Sequence, residues 1–167
     1  MVSKDGLKSE TTSAFSKASA RGCAKLANIF ANKGEGFVSE KTWKEMHSEP
    51  LKEAGMVLRG NQNSNVLIIC SQQKLYFKLS VGPAHFNFTK GGVCYFEKFK
   101  DENQADSSLH GNRYGYYGWF GYGGAIMQWH PEHKIGFAFV PTQLNQLEMF
   151  NNRGAKLQKL VVDCAKK

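Results

Sequence analysis

The stretch from Gly115 to Val140, GYYGWFGYGGAIMQWHPEHKIGFAFV, decides how the chain folds. Its second part reads as AIMQWH, a turn at Pro131 to His133, and KIGFAFV. Two runs rich in aromatic and branched residues around a proline turn predict an antiparallel hairpin. The first part interleaves glycine with aromatic residues, and four chemistries compete for it: a nucleic-acid platform, a phosphate loop, a metal site, or a strand edging a catalytic cleft.

Gly136-Phe137-Ala138-Phe139-Val140 matches the core of the RNP1 pattern, whose aromatic rings stack bases on a sheet. The match is incomplete: Lys134 stands one position early, Pro141 and Thr142 occupy the tail where an aromatic belongs, and no RNP2-like strand precedes it. The alternative is a strand whose aromatic residues serve the core. A phosphate loop needs its glycines between a strand and a helix N-terminus, with a lysine at a set offset, but GWFGYGG runs into a strand and lacks the lysine. His130 and His133 have a spacing that converges on a helix, whereas Pro131 and the flanking strands argue for a turn. Neither a metal nor a cofactor is expected.

Upstream, VLIIC and LYFKLS flank the polar SQQK and predict another hairpin, and Val93 to Phe99 reads as a further strand. Ser71-Gln72-Gln73-Lys74 spells the S-x-x-K signature in which a lysine assists a serine nucleophile. That chemistry needs both side chains on one helix face. On extended chain, residues three apart point to opposite faces and lie roughly 10 Å from each other, so the match is taken as a coincidence of composition. KDENQADSSLHGNR reads as a polar connector.

Two helices are expected earlier. SARGCAKLANIFANKGEG has apolar residues at helical spacing, with Ser19 as N-cap and Gly34 as stop, and SEKTWKEMHSEP has Ser39 as cap, Glu40 in the first turn and Pro50 beyond its end. The final segment, NNRGAKLQKLVVDCAKK, puts Leu157, Leu160, Val161 and Cys164 on one helical face. Helices, then strands, then a closing helix describe an α+β fold, an antiparallel sheet flanked by helices.

The chain has 167 residues, 41% of them hydrophobic, enough for one domain with a real core. Residues 1–12 form a polar leader and residues 13–167 the domain. Lysine and arginine number 22 against 14 acidic residues, giving a formal charge of +8, but they are scattered and form no stripe that would track a phosphate backbone. Cys23, Cys70, Cys94 and Cys164 stand far apart, without the close pairs of a zinc site or the density of a disulfide scaffold. No stretch approaches the ~18 apolar residues of a membrane span and the N-terminus has no apolar signal region, so a soluble, cytoplasmic protein is expected.

These pieces take a common register in a family resemblance. GYGGAIMQWHPEHKIGFAFV resembles the C-terminal strand pair of the serine beta-lactamase-related family, which contains class C beta-lactamases, penicillin-binding proteins and related esterases. Many members have the phrase F-G-H-x-G-x-G-G-S before a strand, then D-P-E and a second strand. Tyr117 and Gly118 take the place of F-G, Gly121, Gly123 and Gly124 match the glycines, and Pro131-Glu132 matches the turn. SARGCAKLANIFANKGEGFVSEKTWKEM is similar to the family's S-A-R-x-L-A-K-L-Y helix, its Ala-Asn-x-Gly ending and the Ser-capped helix that follows.

The resemblance touches most of residues 13–165, with a weak match from about 56 to 110, and implies the C-terminal half of an incomplete beta-lactamase/transpeptidase-like fold. The nucleophile and base motifs, upstream in the family, are not recognisable, so no catalytic residue is assigned. Where the third motif carries a cation or imidazole, this chain has Trp119, followed by Phe120-Gly121, and an indole only donates. Trp119, Phe120, Gly121, Tyr122, Gly123 and Gly124 are then the vestigial wall of a cleft, and the Tyr122 amide would be half of an oxyanion hole. The glycines admit two readings, close approach of a substrate or a tight bend. The resemblance implies a domain inactive alone, a truncated member or pseudoenzyme. The alternatives are a serine hydrolase whose catalytic N-terminal half lies elsewhere, acting on esters or amides once that half is supplied, and a basic nucleic-acid binder. Sheet edges and apolar faces left uncovered would favour self-association or a complementary chain.

Overall fold

A computed structural model describes residues 18–48, 68–71, 74–79, 82–121, 124–143 and 152–167, with side chains described outside 68–85. Helix α1, Ala20–Ala31, starts at Ser19, whose Oγ accepts the Gly22 N–H at 3.1 Å. It ends where Lys33 and Gly34 turn to positive φ and the Gly34 N–H returns to the Ile29 carbonyl at 2.8 Å, a Schellman closure. Helix α2, Glu40–His47, is capped by Ser39, and Trp43 Nε1–H donates to the Phe30 carbonyl at 2.7 Å, tying α2 to α1. Both caps stand where the sequence places them; Pro50 lies outside the described residues.

The described strands form one antiparallel sheet in the simple order β1-β2-β3-β4-β5-β6-β7. Strands β1, Ile68–Ser71, and β2, Lys74–Leu79, make the first expected hairpin. In its register Ser71 lies opposite Lys74, so the backbone turns back on itself and the expected separation along extended chain does not apply. The pair closes a hairpin and does not share a helix face, and Gln72 and Gln73 lie outside the described residues. Strand β3, Gly82–Phe88, has no counterpart among the expected strands and opens on Gly82-Pro83. The strand expected over Val93 to Phe99 shortens to β4, Cys94–Tyr95.

The supposed polar connector folds instead as α3, Gln104–His110. Asn103 accepts the Asp106 N–H at 2.9 Å and Asp106 accepts the Asn103 N–H at 3.4 Å, a reciprocal capping box that offsets a composition otherwise typical of loops. Strands β5, Tyr117–Phe120, β6, Ile126–His130, and β7, Ile135–Phe139, follow, with β6 and β7 forming the expected hairpin around Pro131 to Lys134.

Helices cover both faces of the sheet. On one, Ala27 and Ala31 of α1 pack with Trp129, Phe30, Tyr117 and Met127. On the other, α3 and α4, Asn152–Ala165, close over Phe96, Leu109, Tyr116, Phe120, Ile126 and Val162. The face that α4 buries is not the apolar one expected. Gly154, Ala155, Gln158 and Val162 face the sheet, while Leu157, Leu160 and Val161 are 45, 58 and 38% exposed and Cys164 is also exposed. The buried face thus carries the small residues Gly154 and Ala155, and Gln158 has buried polar partners. This rotation leaves the larger side chains outside.

Candidate functional site

Strand β5 sits between β4 and β6, with Tyr117 opposite Tyr95 and Trp129, Gly118 opposite Gln128, Trp119 opposite Met127 and Phe120 opposite Ile126. Phe120 belongs to the α3/α4 core cluster, whereas Trp119 is not among its buried members. Phe120 is buried and Trp119 is 42% exposed. The Trp119 ring lies 5.0 Å from that of Phe120, stacked, 5.8 Å from Phe86 and 5.7 Å from Phe88. It therefore contributes apolar surface with one N–H donor.

Beyond β5 the chain bends sharply. The Gly121 N–H reaches the Ala125 carbonyl at 2.7 Å and the Gly124 N–H reaches the Gly121 carbonyl at 2.9 Å. Gly121 and Gly124 thus build the bend into β6, one of the two readings left open for the glycines. Tyr122 and Gly123, and with them the assigned oxyanion amide, lie outside the described residues.

Under β5, on the core side, runs a buried polar chain that sequence reading missed. Arg113 donates through Nη1 to the Leu109 carbonyl at 2.6 Å and through Nε to Gln158 Oε1 at 3.2 Å. Gln158 Nε2–H in turn donates to Gln128 Oε1 at 2.6 Å, and Gln128 stands opposite Gly118. The guanidinium also lies 5.8 Å from the Phe96 ring and 5.7 Å from that of Phe120. Burial lowers its pKa to about 10, which leaves Arg113 charged at neutral pH. Three buried polar side chains brought from a turn, a strand and α4 fix the sheet's back wall in one arrangement. Their only sequence signal was the polar Gln128 inside an apolar strand.

On the opposite face His47 joins the aromatic cluster. Trp129 Nε1–H donates to His47 Nε2 at 2.9 Å, so the ring proton sits on Nδ1, which donates to the Trp43 carbonyl at 2.8 Å. The ring stacks on Trp43 at 4.1 Å and meets Tyr117 edge-on at 4.9 Å. Burial holds its pKa below the ordinary histidine value, opposed by the hydrogen bond to the Trp43 carbonyl.

At the far end of β6 the Pro131 turn brings His130 and His133 together, their rings 4.5 Å apart, with Glu132 between them. A turn was expected to separate this pair; four residues closing a hairpin converge it as a helical turn would. A cleft of about 580 Å³ adjoins the same turn, lined by Pro131 and Lys134, by Asn32 and Lys33 after α1, and by Glu40 and Trp43 of α2. It lies at the other end of the hairpin from Trp119. Phe137 and Phe139, the aromatic pair of the RNP1-like stretch, pack against the core cluster, and a side chain at Gly136 would collide with α1. That stretch therefore serves as a core strand. Among the described residues, no helix is long and apolar enough to cross a membrane.

No family model matches the chain, and no curated protein or solved structure matches it either.

Proposed function

We propose that this chain is the C-terminal part of a beta-lactamase-related α+β domain with an incomplete beta-lactamase/transpeptidase-like fold, and that it is catalytically inactive alone. The observation that carries the inactive reading is Trp119. In the register of the resemblance it stands where the family has a cation or imidazole, and it is packed among Phe86, Phe88 and Phe120. A ring in that place cannot take up a proton or neutralise a carboxylate. The family reading is further supported by contact between the two separate phrases that suggested it: Ala24 and Asn28 of α1 lie directly against Gly136 of β7.

The hydrolase alternative, with its catalytic half elsewhere, is supported by the exposed apolar residues Leu157, Leu160 and Val161, which a further segment would cover. The same face supports self-association or pairing with a complementary chain, which sedimentation analysis tests: a single monomeric species at high concentration counts against it. The three described cysteines are free thiols, which supports a cytoplasmic place for the protein.

The deciding experiment exposes the full chain to nitrocefin, a p-nitrophenyl ester and a fluorophosphonate probe, with intact-mass readout. No turnover above buffer and no mass addition are expected. Stoichiometric acylation mapped to a serine overturns the inactive reading, and its loss in Ser71→Ala would locate the nucleophile at the S-x-x-K sequence.

A further inference from the structure

The turn between β6 and β7 holds a set of donors that the fold aims at one point. His130, at the end of β6, is 3% exposed, and its ring meets Tyr116 edge-on at 5.1 Å. A Cβ on Gly115 would stand 2.4 Å from His130 Nε2, so the absence of a side chain there seats the ring. The His133 backbone N–H approaches His130 Nδ1 at 3.4 Å, which places the lone pair on Nδ1. The other nitrogen, Nε2, is the ring atom nearest to Gly115. The ring is thus seated on the Gly115 side, and the Nδ1 lone pair faces the turn that carries Glu132 and His133, held there by one long N–H contact.

Two further donors complete the set. One ligand atom from each of His130, Glu132 and His133 lies within 4.8 Å of the other two. Around a tetrahedral zinc ion with bonds of about 2.0–2.2 Å, ligand atoms stand about 3.3–3.5 Å apart, so the set must close by on the order of 1 Å. Glu132 is exposed and His133 half-buried, so their side chains can rotate inward while His130 stays clamped. The long hydrogen bond to His130 Nδ1 is a weak competitor for its lone pair.

The geometry points to a divalent transition-metal site, of the zinc class, formed by His130, Glu132 and His133, with water completing the coordination. Two imidazoles and one carboxylate suit Zn²⁺ and its neighbours and disfavour Ca²⁺ or Mg²⁺, which take oxygen ligands. The ion pins the β6–β7 turn, whose Pro131 and Lys134 also line the cleft. This site is independent of the family reading above.

The test titrates the full chain with ZnCl₂ alone by calorimetry and with CoCl₂ by absorption spectroscopy. One equivalent of Zn²⁺ binds, and His133→Gln and Glu132→Gln each lower the affinity about tenfold or more. Both substitutions fall in an accessible turn, so folding is preserved and circular dichroism verifies it. In the nitrogen-15 spectrum His130 Nδ1 shifts on addition of Zn²⁺, a readout that needs no His130 variant. Cobalt gives d–d bands without a thiolate charge-transfer band, which separates this site from binding at Cys23 or Cys164. Failure to bind at millimolar Zn²⁺, equal affinity in either variant, or a thiolate band would overturn the assignment.

Discussion

Gly136→Ala tests the packing that unites the two halves of the described fold. A Cβ at Gly136 would stand 2.3 Å from the Asn28 nitrogen, 2.5 Å from the Asn28 Cα and 2.7 Å from the Ala24 carbonyl oxygen. All three are helix backbone atoms, so no side-chain rotation relieves the clash; α1 must withdraw as a body. Withdrawal loosens Ala27 and Ala31 from Trp129, where the helix side of the sheet has its core. Overpacking of this kind costs about 1–3 kcal/mol, and the upper end applies because the neighbour is rigid. Against it, alanine restricts the unfolded chain and returns about 0.4–1 kcal/mol. The net expectation is about 2 kcal/mol, or a fall in Tm of about 4–8 °C for a chain of this size. Thermal and urea unfolding followed by circular dichroism measure it, with Gly121→Ala as control, since a Cβ there meets nothing nearer than 3.7 Å. Equal stability of Gly136→Ala and the parent would refute the close seating of α1 on β7.

Two more outcomes are expected. Arg113→Met leaves Gln158 Oε1 and the Leu109 carbonyl without this donor and costs about 2–4 kcal/mol, whereas Arg113→Met with Gln158→Leu costs less than the sum of the single changes; strict additivity in urea unfolding would show that the chain is not coupled. Because burial lowers the pKa of His47 in the folded state, the unfolded chain takes the proton first; its contribution to stability is therefore complete above about pH 6.5 and is lost as pH falls below it. Protonation also breaks the Trp129 to His47 hydrogen bond, so tryptophan fluorescence should show an acid step that His47→Gln removes, and an identical pH profile in that variant would contradict the assignment.

What could be read in advance was whatever depends on local chemistry. Ser19 and Ser39 cap helices because hydroxyls before an apolar-periodic run have few other roles, and the β6–β7 hairpin follows from two strong strands about a proline. Elements specified by partners distant in sequence were hidden. Helix α3 looks like a connector until Ala105 and Leu109 are seen buried in the core. The orientation of α4 is decided by Gln158, whose partners Arg113 and Gln128 lie 45 and 30 positions away. Apolar periodicity instead favoured the face with Leu157 and Leu160. The convergence of His130 and His133 required knowing that Gly115, on another segment, makes room for an imidazole.

At the bend after β5, the Gly121 and Gly124 amides are bound to the Ala125 and Gly121 carbonyls. The resemblance assigns the Tyr122 amide, outside the described residues, to half of an oxyanion hole. A single well-placed donor of this kind is worth about 3–4 kcal/mol, whereas enzymes lower their barriers by about 8–23 kcal/mol. The remainder must come from a nucleophile, a base and the positioning of substrate between them. Ser71 and Lys74 have the signature spacing, and they close the β1–β2 hairpin, with β3 and β4 between it and β5. Placing a histidine at Trp119 alone should therefore yield no turnover of esters. An active Trp119→His variant would mean that the nucleophile is already present and that the indole is what suppresses it.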